Sequence, residues 1–205
     1  MRAEHAKDRD AYKRKLDILL LLLSHLLLLP MLLLLWTLIP LAIWLQDRGP
    51  VFYLQTRSGR NGKTFTLRKF RTMVPNADQL GPSWNRKDDT RITRFGRFLR
   101  RTGLDELPGL LSIWKGDMSL VGPRALAEKE QRKLESEIPG FSDRLRVLPG
   151  LTGLAQIYNT NNEDHEKLRY DRLYIQRMNV WLDLKLITLS VWNTITAKWD
   201  RRGGK

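Results

Sequence analysis

The longest apolar stretch of the chain lies near its N-terminus, where residues 18–45 carry no formal charge and are rich in leucine. As one straight helix this stretch would be about 42 Å long. That length exceeds the roughly 30 Å hydrocarbon core of a bilayer. A cleavable signal peptide fits poorly, because the apolar region is too long and lacks a small-residue cleavage site. The pattern therefore predicts a membrane helix.

The flanks and the interior of this helix bear on its topology. Six Lys and Arg lie between residues 2 and 15 and seven between residues 48 and 71, so the positive-inside rule selects no orientation for a spanning helix. Pro30 removes one helical hydrogen bond near the middle, and Ser24 and His25 are available to bond freed backbone groups. We expect a re-entrant helix broken at Pro30, with both ends cytoplasmic. A kinked spanning helix is the alternative that composition leaves open.

The elements that follow are predicted from alternation and from helical spacing. Residues 51–55 and 64–70 are typical of two strands joined by a basic, glycine-containing turn, and so predict a short β-hairpin. Residues 90–100 place apolar side chains at helical spacing opposite arginines, as in a helix that lies on an anionic membrane surface. Further helices are expected over residues 125–137, 163–178 and 179–197. The last of these is rich in Trp and is either interfacial or packed into the core.

Together these patterns predict an α+β fold that is mostly helical. It would combine the re-entrant membrane helix and the β-hairpin with amphipathic interfacial helices around a small cytosolic domain. Residues 1–47 form the basic flank and membrane helix, and residues 48–205 form the cytosolic and interfacial domain.

Charge and cysteine content narrow the classes of partner and chemistry. The chain of 205 residues has 36 Lys and Arg against 22 Asp and Glu, a formal net charge of +14. Such a balance implies an anionic partner, which is a nucleic acid, an anionic membrane surface or a phosphorylated substrate. The absence of cysteine excludes disulfides, thiolate catalysis and Cys-based zinc sites. The three histidines are scattered and lack metal-ligand spacing.

Asp105 and Glu106 form a pair of adjacent carboxylates just before Pro108 and a short apolar run. Proline is tolerated in a first helical turn, so we expect the pair at or just before a helix N-terminus. Arg100 and Arg124 are among the basic residues on either side. Carboxylates hold Mg²⁺ or attack phosphorus, and guanidinium groups bind phosphate oxygens, so these surroundings favour chemistry on phosphate. A pair of acids taken alone is more often a helix cap.

The chain resembles the monotopic bacterial sugar transferases, the polyprenyl-phosphate phosphoglycosyl transferases of the small single-domain type. The resemblance rests on an ordered set of short motifs that cover essentially residues 13–195. They are basic residues and Asp17 opening the membrane helix, Pro30, Arg57-x-Gly59, KFRTM at 69–73, Arg97-x-x-Arg100, DELP at 105–108, KGDMSLVGPR at 115–124, PGLTGLAQ at 149–156, YD at 170–171 and DLK at 183–185.

The resemblance implies a reaction and a covalent mechanism. A nucleotide-diphosphate sugar, expected to be a UDP-sugar, would give its sugar-1-phosphate to a polyprenyl phosphate, expected to be undecaprenyl phosphate, and release UMP. This would be the first membrane step of glycoconjugate or polysaccharide assembly. Asp105 would attack the sugar-linked phosphorus and form a covalent phosphosugar intermediate. Glu106 would assist at the acceptor phosphate, and both carboxylates are the expected ligands of Mg²⁺.

The resemblance also implies binding residues and a location. Arg100 and Arg124 match phosphate-binding positions, which suits the planar fork of arginine, and Lys69 matches a basic position near the active site. Arg57, in the basic turn of the hairpin, is a further candidate for substrate contact. The expected location is the bacterial inner membrane, with the catalytic domain and both termini on the cytoplasmic side and anionic lipid as an additional partner. The oligomeric state is left open.

Three positions depart from the family pattern. Leu29 replaces the serine that often precedes the helix-breaking proline, and Leu148 replaces an arginine that often precedes Pro-Gly. Residues 157–162 replace the usual Asn-Gly-Arg-Asn-like loop, a region expected to touch the donor. The identity of the donor sugar therefore does not carry over from the family.

Two other classes of function are alternatives to the enzyme. A non-enzymatic adaptor that places its basic face on anionic lipid would explain the charge and the apolar run, but it gives the two acids no purpose. Nucleic-acid binding rests on charge alone, because the chain has no recognition-helix or RNA-binding motif and carries a membrane segment.

Overall fold

The computed structural model describes residues 2–80, 89–159 and 163–199, and this part is mostly helical with two small sheets. The helices are α1 (Arg2–Asp47), α2 (Arg94–Thr102), α3 (Leu110–Lys115), α4 (Glu128–Glu137), α5 (Leu154–Tyr158), α6 (Asp164–Arg177) and α7 (Val180–Ile195). The strands are β1 (Phe52–Ser58), β2 (Thr64–Phe70), β3 (Ser119–Val121) and β4 (Gly150–Thr152). Short 3₁₀ segments span Arg60–Gly62, Ala77–Leu80, Leu104–Gly109 and Phe141–Arg146. Part of the loop at 157–162, which was expected to contact the donor, lies outside the described residues.

The predicted hairpin is confirmed. Strands β1 and β2 pair antiparallel along their whole length. Asn61 and Gly62 in the connecting turn have φ values of 56° and 76°, a region that asparagine and glycine tolerate. Side chains alternate along a strand, so Leu67 and Lys69 share one face of β2. That face is turned toward the 3₁₀ segment Leu104–Gly109, which carries the two adjacent acids.

Helix α1 is 46 residues long and continues through Pro30 and Pro40, so the expected interruption at Pro30 is not confirmed. A proline removes a single backbone hydrogen bond, and the leucine-rich turns on both sides favour the helix. The Ser24 hydroxyl donates to the carbonyl oxygen of Leu21 at 2.9 Å, and Nδ1 of His25 lies 2.7 Å from the same oxygen. These side chains therefore do not serve the carbonyl that Pro30 leaves free.

One face of α1 is buried along both halves of the apolar segment. Leu21 belongs to a buried cluster with Leu67 of β2, and Ile39 belongs to another with Phe70 of the same strand. Most of the leucines between these regions are exposed, as at Leu26, which is 76 % exposed. Over residues 12–47 of α1, whose side chains the structure describes, the buried positions are Lys13, Asp17, Leu21, Leu32, Ile39 and Ile43. Their spacing places them on one side of the helix, so α1 forms part of the core of the domain.

Ion pairs fasten both ends of α1 to the domain that follows. Near the N-terminal end, Lys13 Nζ lies 2.9 Å from Asp183 Oδ2 of α7, and both side chains are buried. At the C-terminal end, Asp47 pairs with Arg71, which directly follows β2. The helix ends at Asp47, at the predicted limit of the membrane segment.

The parallel pair of β3 and β4 depends on glycines that allow close backbone contact. A Cβ on Gly150 would lie 2.0 Å from the backbone nitrogen of Gly122, and one on Gly153 would lie 2.1 Å from the carbonyl oxygen of Gly122. Real Cβ atoms are not found at such distances, so only glycine fits at Gly150 and Gly153. This packing forms a backbone bridge between Arg124 and Gly150.

Helix α7 packs into the domain core along one face and is exposed on another. Leu186 and Asp183 are buried in the domain core, whereas Trp181 is 81 % and Ile195 73 % exposed. One face of the helix therefore packs inward while an apolar face is left uncovered, as an interfacial helix requires.

Candidate functional site: an acidic pair among cations

The two adjacent carboxylates lie on a tight turn between α2 and α3. Helix α2 stops at Gly103, whose φ of 70° closes the helix in the left-handed conformation. The 3₁₀ segment Leu104–Gly109 follows, and the Glu106 amide donates to the carbonyl of Gly103 at 3.2 Å. Pro108 lies inside this segment, directly ahead of α3. The expected position of the acids, just before a helix, is confirmed.

Glu106 is held as an anion by two cations that converge on one oxygen. Lys69 Nζ lies 2.5 Å and Arg124 Nη2 lies 2.8 Å from its Oε1. Burial by itself would raise the pKa of Glu106, but the adjacent Arg124 and Lys69 outweigh it and hold that pKa well below its usual range. Glu106 is thus ionised throughout the physiological pH range.

Asp105 is the uncommitted member of the pair. Among the residues that the structure describes, none donates a hydrogen bond to its carboxylate or forms an ion pair with it. Burial raises the pKa of Asp105 to about 6; Lys69 opposes this rise, and the anionic Glu106 adds to it. At neutral pH the carboxylate is therefore ionised but poorly solvated, which is the state that a nucleophile or a base requires.

Arg57 approaches the same site from β1. Its Nη1 donates to the carbonyl of Ala125 at 2.7 Å, and its Nη2 donates to the side chain of Gln55. The Nε atom is buried and has no hydrogen-bond partner among the described residues. Burial, assisted by the positive charge of Arg124, lowers the pKa of Arg57 to about 10. The group remains cationic and faces the small pocket that Lys69, Glu106 and Arg124 also line.

Arg100 reaches the site from the last turn of α2. Its Nε donates to the Thr72 hydroxyl at 2.9 Å, which fixes the direction of the guanidinium group. Its charge lies near enough to Asp105 to favour the ionised carboxylate. The remaining guanidinium donors are suited to phosphate oxygens.

The structure brings the six residues proposed from the sequence to one cleft of about 1650 Å³. They are Arg57, Lys69, Arg100, Asp105, Glu106 and Arg124. The cleft also reaches apolar side chains of α1, including Leu28 and Leu32, and the polar Ser190 and Thr194 of α7. Pro30 does not join them, because it lies in the exposed middle of α1.

The donor set suits a magnesium ion that is shared with a phosphorylated substrate. Within the described residues, no group of three His, Asp or Glu side chains is placed to hold a metal. Mg²⁺ commonly uses one or two protein carboxylates, with substrate phosphate oxygens and waters completing its shell. Asp105 and Glu106 fit that mode, whereas a site made entirely of protein ligands does not fit.

Two residues that support the site were not identified from the sequence. Thr72, which orients Arg100, appeared there only as a member of a motif. Trp199 packs on Gly103, since a Cβ on that glycine would lie 3.1 Å from Cδ1 of the indole. The contact supports the turn that precedes Asp105, and it joins positions too far apart in the chain for any local pattern to predict.

Helix α1 is long and apolar enough to cross a membrane, and the cleft that it lines holds two carboxylates among Lys and Arg side chains. These are features expected of a membrane-associated protein that acts on phosphate. Residues 8–197 match the model of the bacterial sugar transferase family, and the chain belongs to that family.

Named relatives come from several bacteria. One from Klebsiella pneumoniae, a UDP-glucose:undecaprenyl-phosphate glucose-1-phosphate transferase, is 39 % identical over 195 residues, which are 91 % of this chain and 41 % of the relative. One of the same name from Caulobacter vibrioides is 38 % identical over 92 % of this chain and 71 % of the relative. A UDP-N-acetylgalactosamine-undecaprenyl-phosphate N-acetylgalactosaminephosphotransferase from Aeromonas hydrophila is 35 % identical over 76 % of this chain and 38 % of the relative. The chain thus spans less than half the length of the first and third of these proteins.

Proposed function

We propose that this chain transfers a sugar-1-phosphate from a UDP-sugar to undecaprenyl phosphate and releases UMP, at the cytoplasmic face of the bacterial inner membrane. The observation that carries the proposal is the uncommitted carboxylate of Asp105 beside the cation-held Glu106, in a cleft that extends to the apolar face of α1. The names of the relatives support the choice of donor and acceptor.

In the first step, a carboxylate oxygen of Asp105 attacks the sugar-linked phosphorus of the donor. The new bond joins that oxygen to phosphorus, and the bond between phosphorus and the bridging oxygen of the diphosphate breaks. UMP leaves with the electron pair of the broken bond. The sugar phosphate remains on Asp105 as an acyl phosphate, so that one displacement is divided into two.

In the second step, a phosphate oxygen of the polyprenyl phosphate attacks the same phosphorus. The bond to Asp105 breaks, the carboxylate is regenerated, and the product is a sugar diphosphate on the lipid. Because UMP has already left, the two anionic substrates need not occupy the site together. That sequence limits the repulsion which a ternary complex would create.

The cations around the pair have separate tasks in this scheme. Lys69 and Arg124 hold Glu106 in place and leave guanidinium donors of Arg124 for the phosphate that reacts. Arg100 and Arg57 lie on the cleft wall, where they neutralise oxygens of the donor diphosphate and of the acceptor. Asp105 and Glu106 would hold Mg²⁺ together with substrate oxygens, and the bound ion would add positive charge near the diphosphate.

The acceptor tail is assigned to the wall that α1 contributes to the cleft. Leu28, Leu32 and Leu35 line it. An isoprenoid chain on this wall would keep its phosphate at the level of the carboxylates and its hydrocarbon toward the bilayer.

We further propose that both ends of α1 lie on the cytoplasmic side. Lys13 and Asp47 lie on either side of the apolar segment of α1, and each is ion-paired to the same charged domain. A domain of this kind cannot contact both faces of a bilayer at once. Pro30 lies in the exposed middle of the helix, where the segment would reach deepest into the hydrocarbon.

The transferase proposal is tested by nucleotide release. The full chain in nanodiscs is incubated with undecaprenyl phosphate, Mg²⁺ and, in turn, UDP-glucose, UDP-galactose and UDP-N-acetylgalactosamine. Release of UMP over many turnovers that requires both the chain and the lipid phosphate supports the function, and the fastest donor identifies the sugar. Absence of release with every donor refutes the transferase function. Release of UMP without any phosphosugar adduct on Asp105 refutes the covalent scheme.

A further inference from the structure

We propose that Lys13 is a positioning residue for Arg124, so that docking of the membrane helix α1 sets the geometry of the active site. The inference rests on the transferase function proposed above.

The ammonium group of Lys13 is buried and fully bonded. Its Nζ donates to the carbonyl oxygen of Val121 at 2.6 Å, to the Tyr174 hydroxyl at 2.8 Å and to Asp183 Oδ2 at 2.9 Å. Lysine has three ammonium donors, and these three bonds use all of them. Lys13 of the membrane helix therefore hydrogen-bonds directly to the Val121 carbonyl of β3.

The Val121 carbonyl lies three residues ahead of Arg124 in the chain, and hydrogen bonds hold the backbone between the two residues in place. The carbonyl of Pro123 accepts a bond from the Gly150 amide at 2.8 Å, and the carbonyl of Arg124 accepts one from Arg144 Nη2 at 2.8 Å. Arg144 is itself buried. Each part of the segment thus has a fixed partner, so a displacement at Val121 is passed on to Arg124.

Arg124 is the point at which this displacement meets the chemistry. Its guanidinium group donates to Glu106 at 2.8 Å, and it lines the cleft that Asp105 also faces. A guanidinium group that is shifted by a fraction of an ångström stabilises the transition state much less. Membrane docking and the electrostatics of the acidic pair are therefore linked through one lysine.

A structural role and a positioning role of Lys13 make different predictions. Removal of Lys13 alone leaves the carboxylate of Asp183, which is only 1 % exposed, without its ion-pair partner. A buried charge without a partner of opposite charge destabilises the folded protein. Removal of both charges, in Lys13→Met/Asp183→Asn, abolishes that penalty and keeps an acceptor for the hydroxyl groups of Tyr12 and Tyr174, which donate to Asp183. The double variant still lacks the ammonium donor to the Val121 carbonyl. It therefore separates stability from positioning.

The experiment compares full-length variants in nanodiscs by Tm, by kcat and KM for the preferred UDP-sugar, and by amide hydrogen exchange over residues 119–126. For Lys13→Met we expect a lower Tm and a loss of kcat of about tenfold or more. For the double variant we expect the Tm to return toward wild type, while kcat stays about fivefold or more below it and exchange over 119–126 remains faster. The matched control is Lys15→Met, which removes the same charge from an exposed position of α1 and is expected to keep kcat within about twofold.

Return of both Tm and kcat to wild-type values in the double variant overturns the inference, because Lys13 would then serve stability alone. An equal loss in Lys15→Met also overturns it, because charge in general would then be responsible. If Lys13→Met does not fold, Tyr174→Phe, which removes a second contact of the same network, must lower kcat and speed exchange over 119–126. Failure of the proposed function has another signature, since the wild-type chain would release no UMP while the exchange comparison would still report on positioning.

Discussion

Asp105 and Glu106 are adjacent in the chain but occupy opposite electrostatic environments. Glu106 accepts hydrogen bonds from Lys69 and Arg124 on a single oxygen, whereas the carboxylate of Asp105 is without such a partner among the described residues. One acid is thus committed to organising the site, and the other is left free to react. Variants at the two positions should therefore fail in different ways.

Asp105→Asn is expected to reduce turnover by about 10³-fold or more, because the amide is not a nucleophile. The stability of the folded protein should instead stay the same or rise at pH 8. The folded pKa of about 6 lies above the unfolded value of about 3.9, so the favourable contribution of the protonated acid is complete below pH 3.9 and is lost as the pH rises through 6. We expect a variant Tm equal to or above wild type at pH 8, with a smaller difference at pH 4, as measured by thermal scans. A fully active Asn variant would exclude the covalent scheme.

The same pKa predicts the acid limb of activity. Attack on phosphorus requires the ionised carboxylate, so kcat/KM should rise with pH and level off above about 6. The measurement is UMP release at subsaturating donor from pH 4.5 to 8. A profile without an acid limb over this range would show that Asp105 is ionised throughout.

Glu106→Gln should move that limb to lower pH. Replacing the neighbouring anion by a neutral amide removes one of the causes that raise the pKa of Asp105. Turnover should also fall by about tenfold or more, because Lys69 and Arg124 lose their common anchor. The control is Glu137→Gln, an exposed change on α4 that should leave both the limb and the rate unaltered. A limb that moves to higher pH in the Glu106 variant contradicts this electrostatic account.

Chelation of divalent cations should stop turnover without unfolding the protein. The proposed Mg²⁺ depends on substrate oxygens, so excess EDTA is expected to reduce UMP release by about 100-fold, with recovery on addition of Mg²⁺. The Tm of the substrate-free chain should be the same with and without EDTA, because no three-ligand protein cluster lies within the described residues. Full turnover in excess chelator is the contrary result.

Topology is tested by cysteine labelling, for which the chain is well suited because it contains no natural cysteine. Lys15→Cys and Lys63→Cys place single thiols at exposed positions before and after the apolar segment. An impermeant maleimide should label both in inside-out vesicles and neither in right-side-out spheroplasts. Labelling of the two positions from opposite sides would establish a spanning helix.

Local patterns in the sequence predicted local structure well. Alternation located the hairpin and helical spacing located α2, while the composition of residues 125–137, 163–178 and 179–197 located α4, α6 and α7 to within a few residues. The acids and their flanking cations were found because they belong to short motifs that are close in the chain. Lys13 and Asp183 lie 170 positions apart, and no local pattern connects them. The expected interruption at Pro30 is not confirmed, because packing and the surrounding leucines decide whether a helix continues through a proline.

Helix α1 supplies Leu21, Ile39 and Ile43 to the interior of the domain that it anchors. In a shortened chain that begins after Asp47, the apolar side chains of Leu67, Phe70 and Leu99 would be exposed to water. We therefore expect that α1 cannot be trimmed away to obtain a water-soluble enzyme, and that preparations of this protein need lipid or detergent from the first extraction onward.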